Sequence, residues 1–232
     1  MTFAELAYHV TPMGALSLRR RRMLALDCDV LEVKLGEDFL MSSLFTAGER
    51  ALAHLSIEAA PAGDLDVLVG GLGLGYTAAA ALDHERVRSL AVVDVLPEVI
   101  AWHRDGLVDL GPRLSSDPRC TLIEGDFFAM ARSGVLPAPG GFHVIAVDID
   151  HSTEAWLNAS HGDLYAEGGL AKLATCLHPG GVFGLWSYAA PDEAFLARLR
   201  SVFARADTVV VPFDNPLREA TESCTIYRAW VD

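Results

Sequence analysis

Four glycines crowd into "LVGGLGLGYTAAAAL" (residues 68–82), where a strand-like apolar run turns into an alanine-rich helix former. Glycine permits positive φ and lets backbone N–H groups approach a ligand with no Cβ in the way. At a strand-to-helix junction those N–H groups also sit at the positive end of the helix. Spacing then separates the ligands. The dinucleotide fingerprint G-x-G-x-x-G would need glycine at position 76 if it began at Gly71, and that residue is Tyr76; begun at Gly70, its middle position is Leu72. The pattern that fits is Gly71-x-Gly73-x-Gly75. Downstream, Asp94 closes the apolar run "LAVVD" 19 residues after Gly75, Asp126 closes "LIEGD" and Asp148 closes "VIAVD". A carboxylate at the second strand end can accept both hydroxyls of a ribose. One strand-end aspartate is ordinarily a turn former or helix cap. Three at successive strand ends would gather at the carboxyl edge of an open sheet, where such sheets bind ligands.

The elements that must hold these groups show as an alternation. From Asp66 onward, strand-like runs ("DVLVGG", "SLAVVDV", "RCTLIEGD", "FHVIAVDID", "GGVFGLWSY") take turns with helical patterns through Ala78–Leu82, from Pro97 to about Leu107, over "FFAMARSG", through Leu164–Leu177 and over "DEAFLARLRSVFARA". Continuous apolar strands such as "VIAV" belong in a sheet covered on both faces. The alternation predicts a doubly wound, mostly parallel, seven-stranded α/β sheet of Rossmann-like type. "DTVVVPF" and "CTIYRAWVD" have no helical pattern between them, so an antiparallel hairpin is expected at one edge. Residues 1–45 read differently: "GALSLRRR", "DVLEVKLG" and "DFLMSS" are short, punctuated segments that predict a small antiparallel β unit. "FTAGERALAHLSIEAA" is expected to be a helix opening the main domain over residues 46–232.

Composition narrows the function classes. With 18 Lys and Arg against 31 Asp and Glu, the formal charge is −13, which opposes a nucleic-acid partner. The run Arg19–Arg22 lies in a strand-like segment, where alternate side chains face opposite ways. It reads as a solvated or oligomer-contact ribbon. No stretch approaches the ~20 apolar residues that span a bilayer, and "MTFAELAYHVTPMG" lacks the basic flank and apolar core of a signal peptide. Cys28, Cys120, Cys176 and Cys224 are scattered without metal-ligand spacing, so reduced thiols, no metal and a cytoplasmic setting are expected.

The loop Gly71-x-Gly73-x-Gly75 resembles that of class I S-adenosylmethionine-binding transferases, in which no pyrophosphate is cradled. A narrower resemblance covers residues 8 to 190. The phrases "VGGLGLG", "VVDVLPEVI", "PRCTLIEGDFFAM", "FHVIAVDID" and "LYAEGGLAKLATCLHPGGVF" follow in the order of the spermidine synthase (polyamine aminopropyltransferase) group. That resemblance implies decarboxylated S-adenosylmethionine as donor, an amine as acceptor, a homodimer, and attack on the carbon beside the sulfonium. It assigns Gly71, Gly73 and Gly75 to the donor loop, Asp94 to the ribose, Asp126 to the adenine amino group and Asp148 to the base or proton relay.

The chain also departs from the group. The second aspartate of the D-x-x-D signature falls at His151, the glycine loop has no aspartate, and only Glu49 and His54 stand where a tyrosine–histidine–glutamate cluster is expected. Glu49, Asp150 and Glu154 are the candidates for amine contacts; the alternative for Asp150 and Glu154 is a solvated loop and a helix-start carboxylate. Tyr76, Trp102, Trp156 and Trp186 are candidates for a pocket wall, with core packing the default for all but Trp186. Two other readings stay open. One is a small-molecule methyltransferase using intact S-adenosylmethionine, whose carboxylate an aspartate-free loop would not repel. The other is a non-catalytic nucleoside-binding subunit.

Overall fold

Runs such as "LDVLVG" and "FHVIAV" are buried along nearly their whole length, which demands cover on both faces of the sheet they enter. The computed structural model describes residues 2–138 and 140–232. Its large sheet has the order β10 (Arg205–Asn215), β11 (Ala220–Trp230), β9 (Leu177–Ser187), β8 (Phe142–Val147), β5 (Leu65–Gly70), β6 (Val87–Asp94), β7 (Cys120–Glu124). Five of these strands are parallel: β5, β6, β7, β8 and β9. The chain winds from β5 outward to β7, then returns to β8 on the other side of β5. The switch point therefore lies between β5 and β8, where open α/β sheets form their ligand crevice. The expected hairpin is present: β10 and β11 are antiparallel, with β10 at the edge.

Helices cover both faces. They are α1 (Ala47–Glu58), α2 (Tyr76–Leu82), α3 (Pro97–Arg104), α4 (Gly111–Ser116), α5 (Phe127–Ser133), α6 (Gly162–Tyr165), α7 (Glu167–Ala174) and α8 (Glu193–Val202). Two expectations need correction. The helix read through Leu164–Leu177 is two helices, broken at Ala166, whose backbone is extended (φ −82°, ψ 157°), and Leu177 already belongs to β9. The helix read from Pro97 to Leu107 stops at Arg104, and the chain turns through Gly106, at φ +70°, into the unanticipated α4.

The N-terminal unit is a four-stranded antiparallel sheet of β1 (Phe3–Thr11), β2 (Gly14–Met23), β3 (Cys28–Leu35) and β4 (Asp38–Ser42). Leu16, Leu18 and Val33 from this sheet share one apolar cluster with Leu52 of α1 and Val99 and Trp102 of α3. Each arginine of the basic run faces an acid: Arg19 Glu5, Arg20 Asp109, Arg21 Glu32, and Arg22 both Asp27 and Asp29. Pairing of this kind removes the free cationic row that a polyanion would need. Among the described residues no helix is long and apolar enough to cross a membrane.

Candidate functional site

The glycine loop runs from the end of β5 to the start of α2, across the switch point. Gly71, Gly73 and Gly75 all have positive φ, at +96°, +47° and +91°. The demand is tightest at Gly71, where a Cβ would lie 2.1 Å from the carbonyl oxygen of Asp148. Only glycine lets the loop pass this close to the end of β8. The loop is tied on both sides: the Gly71 N–H donates to the Val93 carbonyl at 2.9 Å and the Asp148 N–H to the Gly70 carbonyl at 2.8 Å.

The amides of the loop are already spoken for. The N–H groups of Leu72 and Gly73 turn to the Asp94 carboxylate, Leu72 at 2.9 Å. The Leu74 N–H donates to the Met41 Sδ at 3.1 Å, and the Gly75 N–H to the Leu72 carbonyl at 2.7 Å. From behind, the buried His103 donates its Nε2–H to the Gly73 carbonyl at 2.9 Å, and burial pushes that imidazole's pKa down, so it stays neutral. A pyrophosphate would find no row of free donors here, in keeping with the failed dinucleotide spacing.

A cavity of about 350 Å³ opens at this edge, lined by Gly71, Gly73, Tyr76, Asp94, Asp126, Asp148, Glu49 and Trp186, with Val33, Leu35 and Met41 from the small sheet. Gly75 does not line it; its role is the turn itself, where a Cβ would strike Leu114 and His103. Asp94, at the end of β6, also accepts the Leu96 N–H at 2.9 Å, so it welds the glycine loop to the start of α3. A carboxylate has about four lone-pair positions, which leaves capacity for a ligand hydroxyl. Asp126 caps α5 by accepting the Ala129 N–H at 2.9 Å through Oδ1, and the residue lines the cavity.

On the β8 side, Asp148 Oδ2 accepts the Thr77 hydroxyl at 2.5 Å. Burial raises its pKa to about 6 despite that bond. Glu49, in the first turn of α1, is raised to about 8, first by burial and next by the charge of Asp148. The two carboxyls are a coupled pair that resists carrying two negative charges near neutrality. Trp186 is seated against them because residue 48 is glycine: a Cβ there would lie 2.2 Å from the indole nitrogen.

Two candidate acids lie elsewhere. Asp150 is buried and accepts from the Leu157 N–H (2.7 Å), His161 Nδ1 (2.8 Å) and the Tyr165 hydroxyl (2.9 Å). It is the anchor of the loop after β8 and does not line the cavity, which corrects the expectation of an amine contact. His161, oriented by Asp150, stacks on Phe128 with ring centroids 3.6 Å apart, and this stack forms part of the cavity wall. Glu154 is exposed and lies beside a more open surface depression with Trp156, Asp192 and Arg198. Of the aromatic candidates, Tyr76 and Trp186 line the cavity, while Trp102 is buried in the core and Trp156 stacks on Tyr165 outside.

Sequence reasoning missed Met41, whose type carries no chemical signal, and undervalued His151, which lines the cavity. It also missed a cluster at the opposite edge of the sheet, where Asp66, His143 and His178 present ligand-type atoms within 4.8 Å of one another. Asp66 is there paired with Arg88, and the His143 Nδ1 already accepts the Asp66 N–H at 3.0 Å.

No protein-family model matches the chain, and no curated protein matches it by sequence. Solved structures do match. A spermidine synthase in complex with the transition-state analogue AdoDATO superposes with a TM-score of 0.75 at 18% identity, covering 98% of this chain and 74% of that one. The spermidine synthase from Thermotoga maritima superposes with a TM-score of 0.73 at 17% identity, covering 98% and 72%. The chain has the fold of those proteins, including the small N-terminal sheet as well as the doubly wound body.

Proposed function

We propose that the protein is a spermidine synthase-like transferase that alkylates an amine acceptor from an adenosyl sulfonium donor, decarboxylated S-adenosylmethionine. The observation that carries this reading is the charge of the cavity. Its lining holds Glu49, Asp94, Asp126 and Asp148 and no lysine or arginine. Such a site favours ligands that bring positive charge, and both a sulfonium donor and an amine do so. The fold shared with spermidine synthases supports the same reading.

The chemistry assigned to the residues is economical. Asp94 receives the ribose hydroxyls and Asp126 the adenine amino group, while Gly71 and Gly73 let the donor lie close to the backbone. The amine nitrogen attacks the carbon beside the sulfonium; a C–N bond forms as the C–S bond breaks, and the pair of electrons leaves on sulfur as a neutral thioether. No acid has to protonate that leaving group. A base must take the amine's proton, and Asp148, with its raised pKa, is matched to that task near neutrality. The reading includes a homodimer, supported by the exposed apolar residues Phe3, Tyr8 and Val10 on edge strand β1, and a reducing cytoplasmic setting, supported by four free cysteines.

The methyltransferase alternative needs a place for the donor's carboxylate. The amides of the glycine loop point to Asp94 and Met41 instead, which favours the decarboxylated donor. Calorimetry with both donors tests this: tighter binding of the decarboxylated form by at least about tenfold, or about 1.4 kcal/mol, is expected. The reverse order would establish the methyltransferase reading in its place. Asp148→Asn should retain methylthioadenosine binding and lose about 100-fold or more in turnover. Undiminished turnover would remove Asp148 from the mechanism.

A further inference from the structure

We infer that the acceptor is a primary amine with a single ammonium group and an apolar body, an inference that rests on the transferase reading above. It follows from matching the charges of the cavity to the charges it must hold. Asp94 is bound by the amides of Leu72 and Leu96 at the end of β6, and Asp126 caps α5 at the end of β7. Both belong to the flank of the glycine loop assigned to adenosine. On the other flank, only Glu49 and Asp148 offer carboxylates to the cavity.

Those two groups already have two tasks. The decarboxylated donor brings an ammonium on its three-carbon arm, which takes one carboxylate. The attacking amine must hand over a proton, which takes the other. A second ammonium at the far end of the acceptor would find no further carboxylate in the lining. Asp150, in the loop after β8, is closed off by Leu157, His161 and Tyr165, and Glu154 lies outside the cavity. Burial and mutual repulsion of Glu49 and Asp148 reduce their joint charge further near neutrality. His151, His161 and Tyr76 also line the cavity and supply no carboxylate. The rest of the lining is apolar, including Met41, Ile149 and Trp186, or carries no carboxylate, including Tyr76, Asn158 and Ser160. A desolvated ammonium there would lack a counter-charge, at high cost, whereas a hydrocarbon chain gains by burial against Met41, Ile149 and Trp186.

The test uses two acceptors of equal length, pentylamine and 1,4-diaminobutane, titrated by calorimetry into the intact protein saturated with decarboxylated S-adenosylhomocysteine, a thioether that keeps the donor's ammonium arm and cannot transfer it. Pentylamine is expected to bind at least about tenfold more tightly, the order of difference that one unpaired buried charge produces. Equal or tighter binding of the diamine, or no binding of either, overturns the inference. Failure of that thioether itself to bind would instead defeat the transferase reading, and the inference with it. With decarboxylated donor present, release of methylthioadenosine should follow the same order of amines. His151→Asp, which adds a carboxylate to this flank, should move the preference toward the diamine; an unmoved preference refutes the charge-matching argument.

Discussion

Glu49→Gln isolates the electrostatic strain of the cavity, because it removes one charge while keeping the shape of the side chain. In the folded protein, burial and the neighbouring Asp148 raise the Glu49 carboxyl from its ordinary 4.5 to about 8. The unfolded chain has no such environment, and its carboxyl returns to about 4.3. Between those values the folded state holds a proton that the unfolded state has lost. Stability is therefore full below about pH 4.5, declines as pH rises toward 8, and levels off beyond. Taken whole, the shift corresponds to about 5 kcal/mol at about 1.4 kcal/mol per unit. The cavity is open to water and the proton is shared with Asp148, so roughly 2 kcal/mol is the expected net effect.

Glutamine does not titrate, and the variant escapes this decline. Thermal melts of the ligand-free protein should coincide with wild type at pH 5. At pH 9 the variant should melt higher by about 4–8 °C, the usual response of a chain this size to about 2 kcal/mol. A gap that fails to widen between pH 5 and pH 9, or widens in favour of wild type, would show that Glu49 is not held in the strained pair described here.

Gly71→Ala should destabilise by about 2–4 kcal/mol, since its φ of +96° is strained for alanine and the new Cβ meets the Asp148 carbonyl at 2.1 Å; a lowered denaturant midpoint with unchanged slope checks it. Asp150→Ala strands the Leu157 N–H, the His161 imidazole and the Tyr165 hydroxyl, and should cost about 2–4 kcal/mol. Hydrogen exchange in residues 151–165 should quicken in that variant, while the amides of β5 and β6 stay protected.

The doubly wound body was legible because its strands are buried on both faces, and burial of that kind writes continuous apolar runs such as "LDVLVG" and "FHVIAV". Strand-end aspartates followed from the same logic, since position in an α/β sheet dictates which edge they reach. The first strand, Phe3–Thr11, was not read, because an edge strand with much of its length exposed carries no apolar alternation. Asp150 was misplaced because its three donors come from a loop and a helix up to 15 residues away, beyond any local pattern. Arg19–Arg22 looked like a cationic run for the same reason: their acids lie on neighbouring strands and on a distant turn. Met41 could not be found at all, as a thioether becomes part of the site only when β4 delivers it to the amide of Leu74.

That sulfur contact has a thermodynamic consequence. The glycine turn is completed by an atom from the other sheet, and Val33 and Leu35 supply more of the same wall. The apolar cluster running from Leu16 and Leu18 to Val99 and Trp102 fastens the two sheets together. A ligand bound in this cavity would therefore stabilise both sheets by linkage. Severing the chain near residue 45 would leave a body whose pocket lacks a side and whose helix α3 loses its cover.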